Sequence, residues 1–249
     1  MTRTVAGRTY PPMYRFIEAI ARPAMALYTK AEWSGGENLP RTGGFVAVSN
    51  HVTNIDALTF AHFMVGHDIP VKFLAKSELF QVPVLGSMIG AAHQIEVKRG
   101  TRDAQAALSQ ARRALRAGEC VGIFPEGTLT RDPDMWPMKA KTGAARLALE
   151  TGVPVIPVAQ WGTQDVIERY GVKPKLGIKH PVQVMAMPAV DLADLRQEPL
   201  TAQLAREATV RIMADLTRGV AELRGEEPPS HVWDIAIDGD PRPKKGKAS

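Results

Sequence analysis

The chain has 249 residues, of which 45% are hydrophobic and 23% are charged, and its formal net charge is +5. This length and composition exclude a disordered chain and indicate one folded domain, alone or with an appendage. The positive charge favours an anionic partner, which is a phosphorylated metabolite, a membrane surface or nucleic acid. Nucleic acid is the weakest of these, because the sequence has no zinc-ligand pairs, basic zipper region or aromatic RNA-binding signature.

Cysteine usage and the length of the apolar runs narrow the possibilities. The single cysteine, Cys120, excludes an internal disulfide and lies in the apolar run 120–124. This context favours a small buried side chain over the alternative, a thiol nucleophile. No run reaches the ~20 apolar residues that a bilayer-spanning helix needs. The sequence therefore predicts no transmembrane helix.

Residues 11–32 are predicted to form an amphipathic helical hairpin, two short helices separated at Pro23, because proline removes a helical donor and clashes with the preceding turn. The apolar residues of the first helix share one face: Met13, Phe16, Ile17 and Ile20. Such a hairpin either lies in a membrane interface, with its arginines near lipid phosphates, or packs on the domain. Both interpretations stay open at this point.

From residue 44 onward, short apolar runs alternate with segments of helical periodicity. The predicted strands are residues 45–48, 71–75, 94–98, 120–124, 155–159 and 182–187. The predicted helices are residues 55–65, 101–117, 142–150 and 201–223, with short helical pieces over residues 79–92. This alternation predicts an α/β fold with a mostly parallel central sheet flanked by helices.

The composition changes after residue 224 to Pro, Gly, Asp and Lys. We therefore expect N-terminal amphipathic membrane-contact helices over residues 1–35, an α/β domain over 36–224 and a flexible basic tail over 225–249. The tail ends in four basic residues: Arg242, Lys244, Lys245 and Lys247. These are either simply solvated or attracted to an anionic leaflet, at about 1 kcal/mol per residue near the surface.

A histidine and an aspartate follow the predicted strand 45–48. His51 and Asp56 are five positions apart, so they meet only if His51 precedes the next helix and Asp56 lies in its first turn. There the carboxylate can accept the Nδ1 proton and leave Nε2 free as a general base. The alternative is that Asp56 caps the helix and His51 is incidental. On this pair alone, the capping interpretation is the better one.

A second polar group follows the predicted strand 120–124. Glu126 and Gly127 place a carboxylate and a flexible backbone at the same edge of the sheet as His51. The glycine allows the main chain to approach a ligand and offers an amide to a developing oxyanion, whereas the alternative is a plain turn. Basic residues near these motifs form a candidate phosphate site: Lys98, Arg99, Arg131, Lys139 and Lys141.

Four blocks in this order resemble the pattern of the glycerolipid acyltransferases, specifically the 1-acylglycerol-3-phosphate acyltransferase family. The blocks are Asn50-His51 with Asp56, residues 95–99 (IEVKR), residues 124–128 (FPEGT) and residues 153–158 (VPVIPV). The resemblance covers about residues 40–190, and its first and third blocks together are highly specific. It reverses the preference for capping and implies that His51 is the general base and that Asp56 orients it.

The resemblance also implies a set of substrate-binding residues. Glu126 and Gly127, with Thr128 in the same block, are expected to hold the glycerol part of the acceptor, and Arg99 is expected to bind its phosphate. Lys141 resembles a downstream basic residue of the family and is a second phosphate candidate. The family commonly has arginine directly after Glu-Gly-Thr, where this chain has leucine, so Arg131 is the expected substitute.

The implied reaction is acyl transfer from acyl-CoA or acyl-carrier-protein to the free hydroxyl of a lysophospholipid, above all 1-acylglycerol-3-phosphate, giving phosphatidic acid. No metal or redox cofactor is implied. The alternatives are another lysolipid or glycolipid acceptor, a thioester hydrolase with the same base, and a non-enzymic membrane module. Residues 79–92 either wall an acyl tunnel or form ordinary core. The expected partners include membrane lipids, and the expected location is the cytoplasmic face of the cell membrane, peripheral or monotopic.

Overall fold

The computed structural model describes residues 3–5, 7–97, 101–175 and 179–242. Its strands are β1 Arg3–Val5, β2 Arg8–Tyr10, β3 Thr29–Ser34, β4 Phe45–Val48, β5 Val71–Lys76, β6 Ile95–Val97, β7 Cys120–Ile123, β8 Val155–Trp161 and β9 His180–Ala186. Its α-helices are α1 Pro12–Tyr28, α2 Asp56–Gly66, α3 Ser77–Phe80, α4 Leu85–Ala91, α5 Thr101–Arg116, α6 Gly143–Thr151, α7 Thr163–Val166, α8 Ala202–Arg224 and α9 Ile235–Asp238. Short 3₁₀ turns are formed by Gly36–Asn38 and Asp194–Arg196.

Seven strands form one twisted sheet in the order β3-β9-β8-β4-β7-β5-β6, and β1 and β2 form a separate antiparallel pair. Every described neighbour pair in the large sheet is parallel except β8 and β9. The prediction of a mostly parallel sheet is therefore confirmed. Because β8, β4 and β7 are adjacent and parallel, their carboxyl ends meet at one edge, where ligand sites of α/β folds lie.

The central strands are buried on both faces, as parallel sheets covered by helices require. Because side chains alternate along a strand, Val46 and Val48 pack towards Ile212 of α8, on the face that also carries α5 and α6. Phe45 and Ala47 pack on the opposite face, against α2. The predicted strands and helices between residues 44 and 224 are present, with ends that shift by a few residues, and residues 77–91 form the two short helices α3 and α4.

The predicted N-terminal helical hairpin is wrong. Helix α1 runs without a break through Pro23, and the following residues form β3, which pairs in parallel with β9 at the edge of the sheet. An internal proline costs a helix about 3 kcal/mol. Here α1 packs against α2 and α4, and the Tyr14 hydroxyl accepts a hydrogen bond from the Val71 amide at 3.1 Å. Tertiary packing therefore outweighs the local helix breaker.

The prediction of a loose tail is also wrong for its described part, residues 225–242. The Lys139 amide donates to the Trp233 carbonyl at 2.9 Å, and the Lys139 ammonium group lies 2.6 Å from the Asp234 carboxylate. Farther along, Asp240 pairs with Arg131 at 3.3 Å. The segment is thus anchored through backbone and charged contacts. Contacts of this kind require no apolar periodicity, so the sequence gives no sign of them. Residues 243–249, with the three tail lysines, lie outside the described residues.

Candidate active site

The loop after β4 and the first turn of α2 bring His51 and Asp56 together. The Nδ1 atom of His51 lies 3.0 Å from Oδ2 of Asp56. The His51 side chain is 19% exposed, whereas the Asp56 side chain is fully buried. Oδ2 of Asp56 also accepts hydrogen bonds from the amides of Val52 at 2.5 Å and Thr53 at 2.8 Å. One carboxylate therefore contacts both the imidazole and the amides of the preceding loop, whereas the helix itself has no side-chain cap hydrogen bond, so the capping interpretation is not confirmed.

The second oxygen of the Asp56 carboxylate is held by hydroxyl groups. Oδ1 accepts from Thr53 Oγ1 at 2.8 Å and from Thr163 Oγ1 at 2.7 Å. These partners of the carboxylate are all groups that can donate, which fits an ionised, acceptor-only side chain. Because this carboxylate has no proton to give, the Nδ1–H group of His51 is the donor. In this tautomer the Nε2 atom of His51 carries the free lone pair, which is the arrangement that the predicted general base requires.

An aromatic stack fixes the plane of the imidazole. The ring of Phe124 lies on the ring of His51, with centroids 4.2 Å apart and an interplanar angle of 23°. The ring of Phe73 is nearly parallel to that of Phe124, with centroids 6.1 Å apart. Phe60 meets both phenylalanines edge-on. The predicted strand end at Phe124 thus supplies a packing surface for the histidine, in addition to leading into the Glu-Gly turn.

Glu126 is turned into the protein. Its side chain accepts hydrogen bonds from the His51 amide at 3.0 Å and from the Met138 amide at 3.1 Å, and the residue is only 4% exposed. Burial raises the pKa of Glu126 to about 8, with a further rise from the charge of Asp56, while its hydrogen-bond donors act in the opposite direction. This position does not match the predicted contact with the acceptor. Glu126 instead joins the His51 loop to the loop that contains Met138.

The main chain of His51 is held from both sides by the loop after β7. Its amide donates to Glu126, and its carbonyl accepts from the Thr130 amide at 2.6 Å. Gly127, in the same loop, has a φ of +72°, which favours glycine. Its amide donates to the Phe124 carbonyl at 3.0 Å. The predicted use of this amide for an oxyanion is therefore wrong, because the turn itself occupies the donor.

The cationic candidates differ in their accessibility. Lys141 is exposed and lies beside Gly127, where an added Cβ atom would be 2.9 Å from its Nζ atom. Arg131 is only 4% exposed and donates to Thr128 Oγ1 at 3.0 Å and to the Leu129 carbonyl at 2.7 Å. Lys141 thus lies at the edge of the site, where its contact with a phosphate stays a prediction, whereas Arg131 and Thr128 bind each other. The candidates Lys98 and Arg99 lie outside the described residues.

Two groups of residues near the site were missed by the sequence analysis. The first lies at the end of β8, where the main chain of Gln160 and the side chain of Asn50 exchange hydrogen bonds of 2.9 and 3.0 Å, and just after it, where Thr163 binds Asp56. His51 is predicted from polar residues at the carboxyl end of a strand, and the carboxyl end of β8 has polar residues of the same kind. The second group is Arg169 and Tyr170, whose side chains donate to the Thr130 carbonyl. Burial lowers the pKa of Arg169.

The model of the acyltransferase family matches residues 30–161, which include the His51 loop, α2 and the turn at Glu126. The chain belongs to this family. The 1-acyl-sn-glycerol-3-phosphate acyltransferase of Borreliella burgdorferi is 32% identical to this chain, over 53% of this chain and 51% of the relative. The Bacillus subtilis protein of the same name is 30% identical over 68% of this chain and 82% of the relative.

A solved structure is similar to this chain over most of its length. The 1-acyl-sn-glycerophosphate acyltransferase PlsC from Thermotoga maritima superposes with a TM-score of 0.62 at 25% identity, covering 86% of this chain and 81% of that chain. The match spans about half of the Borreliella protein and 40% of a chloroplastic 1-acyl-sn-glycerol-3-phosphate acyltransferase from Brassica napus, so this chain covers only part of the length of these two relatives. The family and the fold are therefore established.

Proposed function

We propose that the protein transfers a fatty acyl chain from an acyl thioester to the free hydroxyl of 1-acylglycerol-3-phosphate and so produces phosphatidic acid. The observation that carries the proposal is the contact between His51 and Asp56, in which the partners of the carboxylate are donors and Nε2 remains a base. The names of the matched relatives support the choice of reaction and acceptor.

The proposed mechanism is direct transfer. Nε2 of His51 removes the proton of the acceptor hydroxyl, and the alkoxide attacks the thioester carbonyl carbon. The carbon–sulfur bond of the tetrahedral intermediate then breaks, and the thiolate of the donor takes the proton from the imidazolium. Asp56 stabilises that imidazolium. The buried position of Cys120 and the rise that burial causes in its pKa argue against an acyl-cysteine intermediate.

An apolar cavity of about 210 Å³ supports binding of an acyl chain. It lies between α1, α2, β5 and the α3–α4 segment, and its wall includes Ile17, Leu79 and Ile89. Ala57 of the same wall directly follows Asp56, and Phe73 of this wall stacks on Phe124, which stacks on His51. The cavity therefore adjoins the base. This position favours the acyl-tunnel interpretation of residues 79–92.

We assign the acceptor phosphate to Arg99 and Lys141, since Arg131 is buried in its own contacts. Replacing Lys141 by alanine should raise the Michaelis constant for the acceptor far more than that for the donor, and the same is expected of Arg99→Ala. The matched control is Lys175→Ala, at an exposed lysine that donates to the Gln164 carbonyl. Unchanged acceptor kinetics in both variants would place the phosphate elsewhere.

The deciding experiment is an assay of the purified protein with labelled acyl-CoA, with acyl-carrier-protein as an alternative donor, and a panel of lysolipid acceptors. We expect phosphatidic acid, identified by mass, and a loss of about 10²- to 10⁴-fold in the folded His51→Ala variant. Release of free fatty acid without acceptor would support a thioester hydrolase. A different acylated product would identify another acceptor, and full activity of His51→Ala would contradict the mechanism.

We also propose that the protein is peripheral on the cytoplasmic face of the membrane, where acyl thioesters are available. No helix among the described residues is long and apolar enough to cross a bilayer. The outer face of α1 carries Phe16, Ile20 and Leu27, which are 54%, 54% and 64% exposed, whereas Ile17 of the predicted apolar face lines the cavity. Exposed apolar side chains on an amphipathic helix fit a membrane interface.

The membrane proposal is tested with a triple variant, Phe16→Ser, Ile20→Ser and Leu27→Ser. It should bind anionic vesicles more weakly and turn over membrane-embedded acceptor more slowly, while activity on a short, soluble acceptor persists. The matched control is Val172→Ser with Val210→Ser, at exposed apolar positions outside α1. Vesicle co-sedimentation equal to that of the wild type would refute the proposal.

A further inference from the structure

We propose that Thr163 is a positioning residue of the catalytic pair, which holds the Asp56 carboxylate so that Oδ2 faces Nδ1 of His51. Thr163 Oγ1 lies 2.7 Å from Asp56 Oδ1, and both residues are buried, at 2% and 0% exposure. The two residues are 107 positions apart in the sequence. The inference rests on the proposed function only in its kinetic test, which measures acyltransferase activity.

The two carboxylate oxygens have different kinds of partner. Oδ2 is bound by main-chain amides and by the imidazole, whereas the donors to Oδ1 are the hydroxyl groups of Thr53 and Thr163. Thr53 belongs to the loop that leads directly into Asp56 at the start of α2 and therefore moves with it. Thr163 comes from another strand end, so its hydroxyl is the contact that fixes the plane of the carboxylate relative to the sheet. Without it, Oδ1 keeps only the hydroxyl donor of Thr53, and the plane of the carboxylate relative to the imidazole is less restricted.

The backbone around Thr163 is suited to this task because neighbouring elements hold it in place. Gly162 has a φ of +96° and turns the chain from β8 into α7, and a Cβ atom at this position would clash with the Pro181 carbonyl. Two residues earlier, the main chain of Gln160 exchanges hydrogen bonds with the Asn50 side chain, which ties the end of β8 to the end of β4. Thr163 therefore acts from a support that is fixed to the strand preceding His51.

The test compares variants with and without the hydroxyl. Thr163→Val keeps the shape of the side chain, and Thr163→Ala avoids any strain that the second methyl group introduces. Both should lower kcat by about 10- to 100-fold, with Michaelis constants that change little, because the loss falls on stabilisation of the imidazolium. Thr163→Ser restores a donor and should recover most of the activity. Thr209→Val is the control, since Thr209 is buried and donates to the Ala205 carbonyl within α8.

A substrate-free measurement separates this inference from the proposed function. The Nδ1 proton of His51 should give a low-field ¹H resonance that persists in Thr163→Ser and shifts or broadens in Thr163→Val and Thr163→Ala. If the wild type has no acyltransferase activity, the proposed function fails while this resonance still tests the contact. An unchanged resonance, wild-type kcat in both variants without the hydroxyl, or a serine variant as impaired as valine would overturn the proposal.

Discussion

Asp56→Asn is the substitution for which the structure makes the sharpest prediction. An asparagine has one oxygen and one NH₂ group, so its orientation decides what His51 experiences. The Oδ2 position of Asp56 faces the amides of Val52 and Thr53, which can only donate. The Oδ1 position faces hydroxyl groups, which can rotate to accept. The amide oxygen should therefore occupy the Oδ2 position and still accept the Nδ1 proton of His51.

This orientation preserves the tautomer of His51 but removes the negative charge. Replacing a charge-assisted hydrogen bond by a neutral one loses about 1–2 kcal/mol. The full attraction between two unit charges 4 Å apart is about 4 kcal/mol at an effective dielectric constant of 20, which bounds the effect from above. The expected decrease in kcat is thus about 10- to 10³-fold. Loss of the correct tautomer costs about 10⁴-fold in a serine protease, which is clearly larger.

The assay is steady-state kcat with saturating donor and acceptor, together with thermal unfolding to verify that the variant is folded. A decrease of about 10⁴-fold or more in a folded protein would refute the orientation argued from the amides of Val52 and Thr53. An unchanged kcat would refute the role of Asp56 altogether. Asp56→Ala provides the comparison, because it leaves both amides without the carboxylate and should also destabilise the His51 loop, at about 1–3 kcal/mol for each unsatisfied donor.

Two further predictions concern stability. The Arg224 guanidinium lies 3.9 Å from the ring centre of Trp136 and 4.3 Å from that of Trp161. Arg224→Ala should therefore lower the free energy of unfolding by about 2 kcal/mol and Tm by about 4–8 °C, and Arg224→Lys should lower both by less. An unchanged Tm in Arg224→Ala would contradict this prediction. The pKa of Glu126 is raised from 4.5 to about 8 in the folded state. The contribution of the protonated Glu126 side chain to the free energy of unfolding is therefore fully present below pH 4.5 and is lost as pH rises through about 8. Between pH 4.5 and about 8, the Tm of Glu126→Gln should therefore decrease less than that of the wild type. Equal slopes of Tm against pH for the two proteins, measured by calorimetry, would contradict the raised pKa of Glu126.

The sequence predicts those parts of the protein in which local pattern and tertiary structure agree. The runs that become β4 and β7 are short and wholly apolar, so their burial follows from composition, and their parallel pairing follows from the alternation of strands and helices. Thr201 caps α8 through a hydrogen bond from the Leu204 amide, and Gly225 ends this helix in a left-handed conformation, as both residue types indicate. The position of His51 and Asp56 is predicted in the same way, because polar residues directly after a buried parallel strand lie at the edge of the sheet where α/β folds place their sites.

The features that the sequence analysis missed depend on distant partners. Pro23 predicts a helix break, and the packing of α1 overrides it. The residues of β3 have no alternating apolar pattern, so this strand depends on its hydrogen bonds with β9, a distant segment. Glu126 has a type and position that fit a substrate ligand, and its inward orientation arises from the amides of His51 and Met138. A local pattern does not specify which buried donors a side chain will meet, since these come from segments far away in the chain.

The arrangement of the site across three strand ends has a consequence for how the protein becomes active during folding. Glu126 follows His51 by 75 residues, and Thr163 follows Asp56 by 107. Contacts between such distant segments form slowly, because the loops between them must close before the contacts are gained. Helices such as α5 and α8 form from local contacts. In a refolding experiment, recovery of enzymatic turnover should therefore lag behind recovery of helical circular dichroism, and turnover reports on assembly of β8, β4 and β7.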